Sequence, residues 1–192
     1  MSTRIRLADP ADTGDAAACL AIYRPFVEDT AVSFETAVPP LAEFRGRIVD
    51  VLQRAPWLVC EVDGAIAGYA YATRFRPRAA YQWSVESTIY LAPAARGRGL
   101  AQSLYASLLR GLRQQGYVNV YAVITLPNAA SVGLHERLGF QPAGVFAGVG
   151  FKQGRWHDVG WWQLRIQEPP AQPRAPVPLA ELSPAPEWEP RA

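Results

Sequence analysis

The stretch Ile89-Tyr90-Leu91-Ala92-Pro93-Ala94-Ala95-Arg96-Gly97-Arg98-Gly99-Leu100-Ala101 sets the reading of the whole chain. An apolar strand runs into Ala92-Pro93, which ends it. An Arg/Gly loop follows and opens onto a helix whose Leu100, Leu104, Leu108 and Leu112 share one face. Glycines let backbone approach a ligand closely and turn successive N–H groups inward. The helix start adds unpaired donors and a dipole that favours a pyrophosphate. Arg96 and Arg98 add charge-assisted contacts. On residues alone the loop also reads as a plain glycine turn that starts a helix. It is neither a Walker loop, since no Gly-Lys-Ser/Thr follows, nor a G-x-G-x-x-G turn.

Working outward, 57–62 and 65–73 read as strands joined by Asp63-Gly64, a strong hairpin turn, and 81–91 as the third strand of the same meander. Arg74-Phe75-Arg76-Pro77-Arg78 is a basic, aromatic loop before that third strand. Ile5-Arg6-Leu7 is a short strand, and 16–27 and 40–54 have the apolar spacing of helices. Downstream, Gly116 ends the leucine-faced helix. Val118, Val120, Ala122 and Ile124 alternate as a strand, and Asn128 opens a helix ending at Gly139. The remaining β material begins at Phe140 and closes over 159–166.

A length of 192 residues suits one domain. Hydrophobic residues make up 49% and charged residues 19%, enough for a core. The net charge of +2 is too balanced for bulk nucleic-acid binding or an electrostatic membrane patch. Cys19 and Cys60 cannot build a disulfide framework, and His135 and His157 lack metal-ligand spacing, so no metal is expected. The start lacks an apolar signal region, which points to a soluble cytoplasmic protein. From Gln167 the prolines at 169, 170, 173, 176, 178, 184, 186 and 190 are too dense for helix or central strand. Residues 1–166 are expected to be the folded domain and 167–192 a disordered tail whose removal leaves the core intact.

Arg96, Gly99 and Ala101 fit the acyl-CoA signature Q/R-x-x-G-x-G/A of the GNAT N-acetyltransferase superfamily, and the chain resembles that superfamily in element order too. Within it, Pro56-Trp57-Leu58-Val59, Ala79-Ala80-Tyr81-Gln82-Trp83, Glu86-Ser87-Thr88-Ile89-Tyr90, Leu126-Pro127-Asn128, Leu134-His135-Glu136 and Gly150-Phe151-Lys152 are similar to the phosphinothricin N-acetyltransferase family. So is 154–160, and the similarity runs from Ile5 to Ile166. The resemblance implies a single α+β domain with a mixed, mostly antiparallel sheet flanked by helices. It also implies acetyl-CoA as co-substrate, acetyl transfer to the α-amine of a small amino acid such as phosphinothricin or methionine sulfoximine or sulfone, and a homodimer.

The same resemblance assigns roles to particular positions. Ile89, Tyr90 and Leu91 would line the pantetheine arm, Arg96 through Gln102 (Gly97, Arg98, Gly99, Leu100, Ala101) the pyrophosphate, and Asn128 the arm again. Asn128 also suits a helix cap. Glu86 would be the base; on residues alone it reads first as a surface or core-edge carboxylate paired with an arginine. His135 stands where many superfamily members have a proton-donating tyrosine, and a structural histidine is the other reading. Ser87, Thr88, Phe75, Arg76, Arg78 and Phe34 would contact the acceptor; 74–78 also reads as a solvated basic loop. The tryptophans of 156–162 suit a core or a dimer interface. Rival functions are acetylation of a polyamine or peptide N-terminus, and a non-catalytic acyl-CoA-binding regulator.

Overall fold

The alternating and helical patterns resolve, in the computed structural model, into strands β1 (Thr3–Leu7), β2 (Trp57–Val62), β3 (Ala65–Arg74), β4 (Ser84–Leu91), β5 (Asn119–Leu126), β6 (Gln141–Lys152) and β7 (Arg155–Arg165). The helices are α1 (Thr13–Glu28), α2 (Leu41–Leu52), α3 (Leu100–Gln115) and α4 (Ala129–Arg137). The structure describes residues 2–184 and 186–188. The strands form one sheet in the order β1-β2-β3-β4-β5-β7-β6. Its neighbours are antiparallel except β4 and β5, which are joined by the α3 crossover and run parallel.

Strand alternation divides the core in two. Leu58 and Cys60 of β2, with Ala70, Val85, Val120 and Ala122, pack under the leucine face of α3. Trp57, Val59 and Tyr69 point the other way, against α1 and α2. The Asp63-Gly64 hairpin forms as expected, with positive φ at both residues. The third meander strand starts at Ser84, later than the sequence suggests, because Ala79–Tyr81 closes into a short 3₁₀ turn.

One feature of register positions the site. β4 and β5 pair only from Ser84↔Asn119 to Ser87↔Ala122. Beyond that, β4 stays with β3 as far as Leu91, and β5 stays with β7 as far as Leu126. The sheet therefore splits, leaving one backbone edge of Thr88–Leu91 without a strand partner.

The expectation of a disordered tail is corrected over its described part. Its remaining residues, 185 and 189–192, lie outside the described structure. The Val177 N–H donates to the Gln115 carbonyl, and the Gln115 side chain donates to the carbonyls of Val177 and Arg54. Trp83 Nε1 donates to the Arg174 carbonyl at 2.7 Å. The Trp188 indole lies against Gly111, where an added Cβ would be 2.6 Å from the ring, and Ser107 Oγ donates to the Trp188 carbonyl. Ser107, Gly111 and Gln115 recur at i, i+4 and i+8, so they form one buried track on α3. Proline density bars helix and ladder, but it does not stop an extended segment from bonding to a prepared surface.

Candidate functional site

Gly97 and Gly99 have φ of 72° and 77°, and nothing lies within 4 Å of where a Cβ would stand on either. Gly99 is the N-cap of α3, without a side-chain cap of its own. The open helix start therefore faces a cleft of about 780 Å³. Every expected cofactor residue lines that cleft except Arg98: Ile89, Tyr90, Leu91, Arg96, Gly97, Gly99, Leu100, Ala101, Gln102 and Asn128. Asn128 also caps α4, its Oδ1 accepting from the Ser131 N–H at 3.1 Å. The cradle fits a pyrophosphate, since free donors, a helix dipole and space without side chains coincide. The long cleft leading to the split in the sheet fits the pantetheine arm.

The acceptor residues that the resemblance implies centre on one face of β4. Glu86, Thr88 and Tyr90 alternate onto it. Glu86 pairs across the ladder with Thr73 and Tyr121. Its Oε1 accepts from Arg76 Nη1 at 2.8 Å, with the carboxylate 27% and the guanidinium 44% exposed. Arg76 lies 4.4 Å from the Phe75 ring centre and 5.0 Å from that of Trp161. Burial pushes the Glu86 carboxyl above its ordinary 4.5, and the Arg76 bond and charge work against that push. Both readings of Glu86 therefore describe one residue, a half-buried carboxylate with raised proton affinity and an arginine partner. Arg76 is the loop arginine paired with Glu86; both it and Arg78, which precedes the 3₁₀ turn, are exposed.

A neighbouring pocket of about 270 Å³ is walled by Tyr23, Phe44, Trp57, Tyr69, Tyr71 and Thr73, with Glu35 and Arg47 also lining it. Arg47 bonds both Glu35 and Glu43. Phe34 is absent from that wall; its ring packs against Gly150 and His157.

Two expected site residues have partners inside the fold. Ser87 faces away from Glu86. It is 7% exposed on the α3 side, its Oγ 3.1 Å from Tyr105 Oη. His135 has no N–H to give. Its Nδ1 lies 2.8 Å from the Ser131 carbonyl, which can only accept, so that nitrogen carries the proton and Nε2 accepts from Tyr105 Oη at 2.7 Å. Burial lowers His135 below its ordinary 6.5 and raises Tyr105, so both stay neutral. The pair lines the small cavity at the split, about 100 Å³.

Several lining residues carry no signal in the sequence. Pro25, Phe26, Asp29, Thr30 and Val32, at the end of α1 and just after it, close the far side of the cleft. They lie some 60 positions from the cradle, and only tertiary packing brings them to it. Arg137, in the last turn of α4, also lines the cleft.

Comparison with known proteins agrees with this geometry. A family profile described as an acetyltransferase (GNAT) domain matches residues 6–161. The chain is 42% identical over 173 residues to a phosphinothricin N-acetyltransferase of Streptomyces viridochromogenes, covering 90% of this chain and 94% of that protein. It is 36% identical over 169 residues to an L-methionine sulfoximine/L-methionine sulfone acetyltransferase of Pseudomonas aeruginosa, covering 86% and 96%. The structure is similar to that of a phosphinothricin acetyltransferase from Sinorhizobium meliloti in complex with acetyl-CoA. The TM-score is 0.83 at 33% identity, covering 98% of this chain and all of that one.

Proposed function

We propose that this chain, which belongs to the GNAT acetyltransferase family and is an acetyl-CoA-dependent N-acetyltransferase, acts on the α-amine of a small amino acid such as phosphinothricin or methionine sulfoximine or sulfone. Glu86 is the base in this reading. The observation that carries it is a meeting of two spaces. The cofactor cleft ends where β4 leaves β5, and Glu86 stands two residues before Thr88 at that split, roughly 7 Å along the strand.

Acetyl-CoA brings an activated thioester, and the chain's residues supply the rest. The 97–102 loop and Arg96 hold the phosphates. The unpaired edge of Thr88–Leu91 offers backbone N–H groups to the arm and to the thioester oxygen. Glu86 takes the ammonium proton, directly or through water, so that the amine is free to attack. Arg76 is available to a carboxylate or phosphinate on the acceptor, a grip its planar fork suits.

The 1–166 domain works with its 167–192 extension as a homodimer in the cytoplasm. Support for the dimer is the β6–β7 hairpin, where Val145, Phe146, Val149, Phe151 and Trp156 are each 55–67% exposed, a patch of the kind that a second chain covers. Support for the compartment is two buried, free cysteines. Among the described residues, no helix is long and apolar enough to cross a membrane.

The test is a thiol-release assay with acetyl-CoA across a panel of amino acids, including phosphinothricin and methionine sulfoximine, with polyamines and peptides as competitors. Turnover confined to the amino acids is expected. Turnover with polyamines or peptides alone would replace the acceptor, and binding of acetyl-CoA without any turnover would make the chain a regulator.

A further inference from the structure

The Gly150-Phe151-Lys152 block at the end of β6 has no part in the chemistry above, yet it holds the chain's single lysine, and that lysine is buried. Lys152 Nζ donates to the Val27 carbonyl at 2.6 Å and to the Ser33 carbonyl at 2.7 Å. Val27 lies in the last turn of α1, whose carbonyls lack helical partners. The Pro25 carbonyl is met by the Asp29 N–H and the Phe26 carbonyl by Thr30 Oγ1. Lys152 meets the next one. The last turn of α1 has no basic residue of its own, so a cation from a distant hairpin supplies the complement to its dipole.

The same hairpin holds the segment again a few residues on. Gly150 leaves the space that the Phe34 ring occupies; an added Cβ would stand 2.2 Å from that ring. His157, opposite Gly150 in the β6–β7 ladder, also lies beside Phe34, with ring centres 6.1 Å apart. Its Nε2 donates to the Lys152 carbonyl at 3.0 Å. Ser33 Oγ, between the two anchors, bonds Tyr23 Oη and accepts from the Glu35 N–H.

What is held in this way is the partition of the site. Asp29, Thr30 and Val32 line the cofactor cleft, Val32 reaches the cavity at the split, and Glu35 and Tyr23 line the aromatic pocket. We propose that Lys152 is a positioning residue for acetyl transfer, its ammonium pinning residues 29–35 as the common wall between the cofactor cleft and the acceptor pocket. This rests on the proposed function and takes the aromatic pocket, which Thr73 opposite Glu86 helps to line, as the acceptor's.

The test uses the full chain with Lys152→Met, which keeps length and removes the donors, and Lys152→Arg, which keeps them. In Lys152→Met, amide hydrogen exchange across 29–35 should rise about tenfold or more while β2 and β3 stay protected, as loss of charge-assisted bonds predicts. The acceptor KM should rise by about tenfold and kcat should fall, while acetyl-CoA affinity, set by the α3 cradle, shifts by less than about threefold. Lys152→Arg should recover a large part of both. A Lys152→Met protein with a lower Tm but wild-type acceptor KM, kcat and exchange at 29–35 would overturn the proposal. If Lys152→Met does not fold, Gly150→Ala displaces Phe34 and should give the same KM split; wild-type kinetics in that variant would overturn it too. If the wild-type chain acetylates no amino acid, the proposed acceptor fails, and the exchange measurement still decides whether Lys152 pins the wall.

Discussion

Glu86 and Ser87 are consecutive on β4 and both polar, yet they have opposite fates. Glu86 lies on the opposite face from Ser87, half-buried, with Arg76 as its ion-pair partner. Ser87 faces α3 and joins a closed chain of neutral groups through Tyr105 and His135 to the Ser131 carbonyl. On the first side a charge is left partly desolvated and partly paired, which is how a protein tunes a base. On the second, every polar atom named is satisfied within the fold, which is how a protein fills a core with polar side chains. On the proposed reading, the first arrangement serves chemistry and the second serves shape. Substitutions on the two faces should therefore separate turnover from stability.

The sharpest break is expected at Glu86. Glu86→Gln keeps size and removes the basic carboxylate, so acetyl-CoA binding should hold while turnover falls by about 10²–10⁴ near neutral pH. The rate should partly recover at higher pH, where more acceptor amine is already neutral. A deficit independent of pH would mean that Glu86 positions the ammonium group instead of taking its proton. Stability should move the other way. The raised carboxyl pKa means that the native state holds this proton more tightly than the unfolded chain, so stability falls as pH rises from the ordinary carboxylate range through the raised value. The Tm of Glu86→Gln relative to the wild type should therefore climb across that window.

Next in size is the cradle, which belongs to neither face. Gly99→Val forces a β-branched residue to a φ of 77° at the start of α3. Strain of that kind costs about 1–3 kcal/mol, so acetyl-CoA should bind roughly tenfold more weakly, with acceptor affinity changed less. Unchanged CoA titration in a folded variant would move the phosphate site elsewhere. Arg76→Gln is a finer probe. Arg76 opposes the burial that raises Glu86, so its removal should shift the acid limb of the kcat/KM profile to higher pH. A stationary limb would mean that the ion pair does not govern the base.

Much of this was legible in the sequence, for identifiable reasons. The cradle was, because Gly97 and Gly99 and the leucine spacing of α3 are local facts. The place of Glu86 was, as a carboxylate in an apolar strand, while its role as base came from the resemblance. Ser87 was misplaced although its signal was present, since a strand of period two must turn it away from its neighbour. The split between β4 and β5 is a matter of register and leaves no mark in composition. The tail misled because proline density speaks of ladders and helices, not of packing. Its receiving track, Ser107, Gly111 and Gln115, reads in the sequence only as interruptions of a leucine face. Trp188→Ala should accordingly cost about 2 kcal/mol and lower Tm by roughly 4–8 °C, with turnover unchanged. An unaltered melting curve would return the tail to disorder.

The smallest effect is expected at Ser87, and it bears most directly on the contrast between the faces. Ser87→Ala removes one neutral hydrogen-bond partner from Tyr105, which keeps its bond to His135. A bond of this kind is worth about 1 kcal/mol, so Tm should fall by roughly 2–4 °C. Because the hydroxyl faces α3 and not the acceptor, kcat and acceptor KM should both stay within about twofold of wild type. Thermal melting and steady-state kinetics on one preparation decide it. A stable Ser87→Ala protein that turns over poorly would mean that the chain of Ser87, Tyr105 and His135 takes part in the reaction from the α3 side. The split in the sheet would then be active on both faces of β4, and the division between chemistry and shape would fail at its first residue pair.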